Sequence, residues 1–505
     1  MNRTPNNRMP TSQTTETPHF PLYIDGAFVE GAAGQRMESL NPATGAPWAS
    51  FACAASKDVD RAVAAASRAL EDPAWRDMTQ TARGKLLYRL ADLVEEHAET
   101  LGRIETTDSG KLLAETATQT RYVADYYRYF AGLADKIEGA VLPIDKPDMH
   151  VFTSREPIGV VAAIPPWNAQ MFLTATKLGP ALAAGCAVVL KASEIAPAPM
   201  LEFARLIDRA GFPPGVVSVI TGDPETCAIP LTRHPRIDRI AFTGGPDTAR
   251  HVLRNAAENF AVTTLELGGK SPILVFEDAD LDSAANGLIA GNFGASGQSC
   301  VAGSRGLIQR SVFEEIVARI EAKARAIIVG DPLDPATHVG PLCTRAQIAR
   351  IETTLAAARA QGARIRFGGA PLDRPGHYMA PTLVECASPE TETLMVELFG
   401  PVMSLLPFED ETEAIRLANE TPYGLGSGVF TRNVARAHRV AKRLRAGICW
   451  VNTYRAISPI APFGGFDQSG YGREAGAESV LDYTRTKTTW INLSDAPMPN
   501  PFVMR

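Results

Sequence analysis

Cys300 sits in NFGASGQSCVAGSR, where glycine and other small residues at 294, 295, 296, 297 and 299 leave little bulk around one thiol. A thiol attacks as its thiolate, a form favoured by helix N-terminal dipoles and nearby donors. A solitary cysteine is otherwise a small buried apolar residue. Upstream, LELGGKSP places Glu266 between two leucines in an apolar strand ending at Gly268 and Gly269. Burial there raises a carboxyl toward the range of a general base, whereas a strand-end glutamate facing water needs no such role.

Three further segments follow apolar strands and suit a ligand at the strand ends of an open α/β sheet. VVLKASE sets Lys191 and Glu194 just past one strand, an arrangement that also fits a solvated ion pair. FTGGPDTAR runs from Phe242, Thr243, Gly244 and Gly245 into a helix with Pro246 at its first position, and such an N-terminus receives a pyrophosphate. IPPWNAQ carries Asn168, by itself as well suited to a turn as to catalysis. No GxGxxG fingerprint is present in these segments.

LELGGKSP and FGASGQSC (Phe293 to Cys300) resemble the paired glutamate and cysteine signatures of the aldehyde dehydrogenase superfamily, in the same order and 34 residues apart. The resemblance extends from about Leu22 to Tyr483. It implies an α/β fold of two doubly wound domains with an oligomerisation β-hairpin and a C-terminal strand. It makes Asn168 the oxyanion donor together with the Cys300 backbone N–H, at about 3–4 kcal/mol per donor. It gives Lys177 and Glu474, the Glu of GRE, the ordering of the site and its proton relay. Ile164, Pro165, Trp167, Lys191, Ser193, Glu194, Phe242, Thr243, Gly244, Gly245, Leu267 and Gly268 are expected along the cofactor groove. There Lys191 and Glu194 take the adenosine ribose, Glu397 of VELFGPV the nicotinamide ribose, and Phe399 packs on the ring. A carboxylate at 194 accepts from a free 2′-hydroxyl and repels a 2′-phosphate, so NAD is expected rather than NADP. Gly245, Ala249, Val396 and Asp467 depart from the usual Ser, Gly, acid and Lys, while Asn452 and Phe463 match.

The implied reaction is oxidation of an aldehyde to the acid through a Cys300 thiohemiacetal and a thioester, hydrolysed by water that Glu266 activates. A coenzyme A-acylating relative does not need that base. The alternatives are a coenzyme A-acylating aldehyde dehydrogenase, a thiol esterase without redox and a non-catalytic structural or binding protein that has kept the scaffold. Substrate contacts are expected from Trp167, Tyr122, Ser299, Val301, Arg455, Ile457 and Phe463. Ala169, Thr176, Gly294 and Ile457 stand where many relatives carry tunnel aromatics, which predicts a wider pocket. Arg121 and Arg455 are placed at its mouth, favouring a polar or anionic aldehyde such as a semialdehyde, although each also fits a surface or intersubunit pair.

The elements that must position these groups are legible in outline. SKDVDRAVAAASRAL reads as a helix capped by Ser56, so helices are expected to lead the chain, with a third running through Tyr129. GAVLPIDKPDMHVFTSREPIG reads as an extended hairpin. Buried strands then alternate with helices from GVVAAI to IDRIAFTGG, and a second series is expected from Ala261. TRTKTTWINL reads as a late strand pairing with the hairpin or with another subunit. The expected division is an N-terminal arm over 1–19, a NAD-binding domain over 20–135 and 157–262, a catalytic domain over 263–478, and an oligomerisation segment over 136–156 and 479–505.

At 505 residues the chain exceeds one core, which suits two units around a cleft. With 45% hydrophobic and 21% charged residues it falls outside the disordered range. A net charge of -6 and the lack of a long basic run argue against nucleic acid and membrane partners. Seven separated cysteines with no CxxC pair argue against a disulfide framework or a zinc site; no metal is expected, and the location expected is the cytoplasm. The expected assembly is a homodimer or homotetramer.

Overall fold

The computed structural model describes residues 17–498 and 500–503, so positions 1–16 of the expected arm lie outside it. Runs such as VVAAI at Val160–Ile164 and AVVLK at Ala187–Lys191 are buried along their whole length, the signature of parallel strands covered on both faces. They belong to an eight-stranded sheet whose order is Gly470–Tyr471, Val262–Leu267, Arg239–Gly244, Val160–Ile164, Ala187–Lys191, Val217–Ile220, Leu22–Ile24 and Ala27–Val29. The central five strands are parallel. From Val160–Ile164 the chain steps outward through Ala187–Lys191, then returns to the other side at Arg239–Gly244, so the strand order reverses between 160–164 and 239–244. Ligand crevices form at such a reversal, beyond the carboxyl ends of the strands.

A second, seven-stranded sheet is built from Arg364–Phe367, Thr382–Glu385, Val402–Phe408, Arg305–Gln309, Pro272–Val275, Gly426–Phe430 and Ile448–Val451. Separate apolar clusters pack against the faces of each sheet. The second series therefore begins at Pro272 and not at Ala261: Val262–Leu267 pairs in parallel with Arg239–Gly244 and completes the first sheet. Glu266 thus stands on the first sheet, while the Cys300 loop leads into Arg305–Gln309 of the second.

Strands, not helices, lead the described chain, from His19–Phe20 to Ala46–Ala52. Ser56 is the first helical residue and not the cap. Asp58 performs the capping by accepting from the backbone N–H of Ala55 at 2.9 Å, while Ser56 Oγ donates to the Thr226 carbonyl. The expected hairpin reduces to one nine-residue strand, Met149–Pro157, with only the bridge Val141–Phe152 on its other arm. Its full-length partner is the late strand Thr484–Asn492, in antiparallel register from Thr484–Pro157 to Asn492–Met149.

Candidate active site

The Asn168, Glu474 and Glu397 loops meet the Cys300 and Glu266 segments at the carboxyl ends of the first sheet. Asn168, buried, donates from Nδ2 to the Gln298 carbonyl at 3.0 Å, tying the first sheet to the cysteine loop two residues before Cys300. An amide nitrogen carries two hydrogens, so a second remains for an oxyanion. Trp167 and Phe399 meet edge to face with ring centroids 5.5 Å apart. Val301, Leu425 and Trp450 form a small apolar cluster packed against Cys300 and Phe463.

Cys300 is partly accessible and in no disulfide. Burial first, then the carboxylates of Glu397 and Glu266, push its thiol up to about 12, so the resting group is protonated and attack requires a base. Glu266 is 2% exposed, and neither carboxylate oxygen has a hydrogen-bond partner among the described residues. Burial, reinforced by Glu474, holds its carboxyl well above the usual range despite the opposing charges of Lys177 and Arg473. Gly464 leaves room for that carboxylate, since a Cβ there would lie 2.8 Å from Glu266 Oε1.

Behind Glu266 lies a buried ionic network. Lys177, fully buried, bonds Glu474 and donates to Thr243 Oγ1 at 2.6 Å, and Thr176 Oγ1 donates to the second Glu474 oxygen at 2.6 Å. Thr176 therefore does not widen a pocket: its side chain is buried and committed to Glu474. Gly294 likewise opens no space. A Cβ there would lie 2.4 Å from Arg455 Nη1, so the arginine fills the volume that the missing side chain leaves.

The cofactor residues lie along the crevice. Lys191 and Glu194 pair at 2.5 Å past their strand. Ser193 Oγ accepts from the Ile195 N–H, and Ile164 and Pro165 are buried at the next strand end. Phe242 packs beneath Gly244, where a Cβ would lie 2.4 Å from the ring. The helix Pro246–Asn259 starts at Gly245 with no side-chain cap and open space where a Cβ would stand, so its first N–H groups remain available to a phosphate. Leu267 N–H bonds the Ser469 carbonyl, and Glu397 accepts from Gly269 N–H at 3.0 Å against Gly268, its carboxyl pushed up to about 7 by burial. This set fits a dinucleotide: an open helix start, the carboxylates of Glu194 and Glu397, and the paired rings of Trp167 and Phe399.

Around the substrate side, Tyr122 OH donates to the Ile457 carbonyl at 3.1 Å, and Ser299 and Ile457 are partly buried. Arg455, at φ 64°, donates from Nη1 to the Ala290 carbonyl at 3.2 Å and lies near enough to Cys300 to oppose the rise of its pKa. Arg121 is exposed. Asp467, the unusual acid, is answered by Arg445 at 2.9 Å. The sequence reading missed Tyr454, whose OH donates to the Val301 carbonyl at 3.0 Å, and Glu115, which bonds the Ala295 N–H at 2.9 Å. Neither has a local signal, because each acts across more than 150 positions of chain.

The aldehyde dehydrogenase family model matches residues 28–489. The chain belongs to the aldehyde dehydrogenase family. It is 55% identical to the (Z)-2-((N-methylformamido)methylene)-5-hydroxybutyrolactone dehydrogenase of Acinetobacter baylyi, over 96% of this chain and 99% of that protein. Among solved structures, a putative aldehyde dehydrogenase from Burkholderia cenocepacia superposes with a TM-score of 0.93 at 42% identity, covering 96% of this chain and 99% of that one. The betaine aldehyde dehydrogenase of Staphylococcus aureus in complex with NAD+ gives 0.94 at 36%, covering 96% of each. The chain is thus an aldehyde dehydrogenase with the two-unit α/β fold of that family.

Proposed function

We propose that the protein oxidises an aldehyde bearing a carboxylate to the diacid, with NAD as oxidant. The observation that carries the hydrolytic route is the buried, unpartnered carboxylate of Glu266 beside Cys300. Glu266 takes the thiol proton, the Cys300 sulfur adds to the aldehyde carbon, and the second N–H of Asn168 with the Cys300 backbone N–H receives the oxyanion. NAD, when bound, accepts the hydride that turns the thiohemiacetal into a thioester; Lys191, Glu194, the start of helix 246–259 and Glu397 would hold it. Glu266 then draws a proton from water, which attacks the thioester and frees Cys300. Between the two steps Glu266 passes the thiol proton on toward the Lys177–Glu474 pair, whose charges bear on it. Cys300→Ala is expected to abolish NAD reduction; retained turnover contradicts the assignment.

The substrate class is argued from Arg455, whose guanidinium makes one hydrogen bond to a carbonyl and no ion pair among the described residues. The Acinetobacter relative is named for a 5-hydroxybutyrolactone, a ring that opens to a 4-oxo carboxylate. Arg455→Gln is expected to raise KM for a dicarboxylic semialdehyde about 10- to 100-fold, as loss of a charged hydrogen bond of about 1.5–3 kcal/mol implies, while KM for a neutral aldehyde of equal length changes little. Equal effects on both would reject charge selection.

Homodimeric or homotetrameric assembly, cytoplasmic location and a division in which the first unit keeps Val262–Leu267 and the catalytic unit begins at Pro272 are part of the same proposal. Exposed Val141, Trp490 and Ile491 beside the strand pair support assembly there. Seven free cysteines suit a reducing compartment, and among the described residues no helix is long and apolar enough to cross a membrane.

A further inference from the structure

The turn that presents Cys300 runs through three successive left-handed residues, Ala295 at φ 52°, Ser296 at 54° and Gly297 at 72°. Two of them carry side chains, so this backbone persists only where surrounding contacts over-determine it. Those contacts come from far along the chain. Ser296 Oγ donates to the Gly340 carbonyl at 3.0 Å, Gln298 Oε1 accepts from Cys343 N–H at 2.9 Å, and Gly297 lies against Gly400, where a Cβ would meet the carbonyl oxygen at 2.1 Å. The first left-handed residue is held by Glu115, whose Oε1 accepts from Ala295 N–H at 2.9 Å across 180 positions. Its Oε2 is buried with no partner among the described residues. Glu115 lies in the first turn of the helix Leu113–Leu133, where the helix dipole favours its charge. It is the one charged side chain among these ties, and it enters from the helical layer of the first unit, not from the unit that carries the cysteine.

We propose that Glu115 is a positioning residue for the nucleophile, fixing the left-handed turn that aims the Cys300 sulfur. The proposal rests on Cys300 being the nucleophile. An amide oxygen can accept the same N–H from the same position, though more weakly than a carboxylate, whereas Asp is one methylene short and Ala supplies no acceptor. The proposal therefore separates Glu115→Gln from Glu115→Asp and Glu115→Ala.

The test measures kcat, KM and the pH-dependent rate of Cys300 alkylation by iodoacetamide, followed by peptide mass and normalised to folded protein. Glu115→Asp and Glu115→Ala are expected to lose about 10- to 100-fold in kcat, the scale of a misaimed reacting group, with aldehyde KM within about threefold and a slowed, shifted alkylation profile. Glu115→Gln is expected to restore kcat and the profile to within about threefold of wild type. A role confined to stability would lower the melting temperature while leaving per-site kcat and alkylation unchanged, and that result overturns the proposal. So does a Gln variant as impaired as Ala. Wild-type turnover that survives complete alkylation of Cys300 would instead overturn the assignment of the nucleophile.

Discussion

At the scale of single residues, the chemistry depends on a carboxyl that the fold makes uncomfortable. Glu266 is buried without a hydrogen bond and its folded pKa is raised above the unfolded value. A carboxyl shifted in that direction contributes its stability fully below the unfolded pKa and loses it as pH rises through the folded one. Above that range the molecule carries a desolvated charge that Gln does not. Glu266→Gln is therefore expected to unfold at higher temperature than wild type at pH 8, by about 1–2 kcal/mol, with the gap closing toward pH 4. Calorimetry across that range checks it, and a gap that widens on acidification contradicts the assigned shift. Cys300 and Glu266 were legible because two short motifs frame them. The roles expected of Thr176 and Gly294 were misread, since a missing aromatic does not reveal whether a neighbour fills its place; here Glu474 and Arg455 do.

Among the elements, the cysteine turn shows how backbone geometry limits substitution. Gly297 combines φ 72° with a Gly400 oxygen 2.1 Å from where a Cβ would stand. Gly297→Ala is expected to cost about 2–4 kcal/mol from strain and overpacking together and to lower kcat with it, measured by denaturant unfolding and steady-state rates. Gly245 is the opposite case. Nothing lies within 4 Å of where its Cβ would stand, so Gly245→Ser is expected to fold normally and to cap the helix at 246–259, stabilising it by a few tenths of a kcal/mol, about 0.3. A change in NAD affinity, in either direction, would be consistent with the phosphate at this helix start; an unchanged affinity would place it elsewhere. Periodicity located the buried strands from GVVAAI to IDRIAFTGG, but most strands of the second sheet were not read individually, and Val262–Leu267 was assigned to the wrong sheet. Strand pairing is long-range, and a buried strand looks the same in either neighbour. The first arm of the hairpin failed for a related reason, because Met149–Pro157 finds its main partner more than 300 residues away.

For the whole molecule, the two sheets bring together the residues proposed for one reaction: Asn168, Glu266, Lys191 and Glu194 from the first unit, Cys300 and Glu397 from the second. Glu115 reaches across that division to the Ala295 N–H, which no local pattern could reveal. The exposed apolar residues of the 149–157 and 484–492 strand pair argue for association through that ribbon. Trp490→Asp combined with Ile491→Asp is expected to shift the assembly toward monomer in light scattering; an unchanged mass would place the interface elsewhere. The central claim, that Cys300 carries the acyl group and Glu266 releases it, is tested most directly by intact mass spectrometry of Glu266→Gln after rapid mixing with NAD and aldehyde. The account predicts one equivalent of reduced cofactor and a thioester adduct retained on Cys300. Sustained turnover with Cys300 unmodified would contradict it.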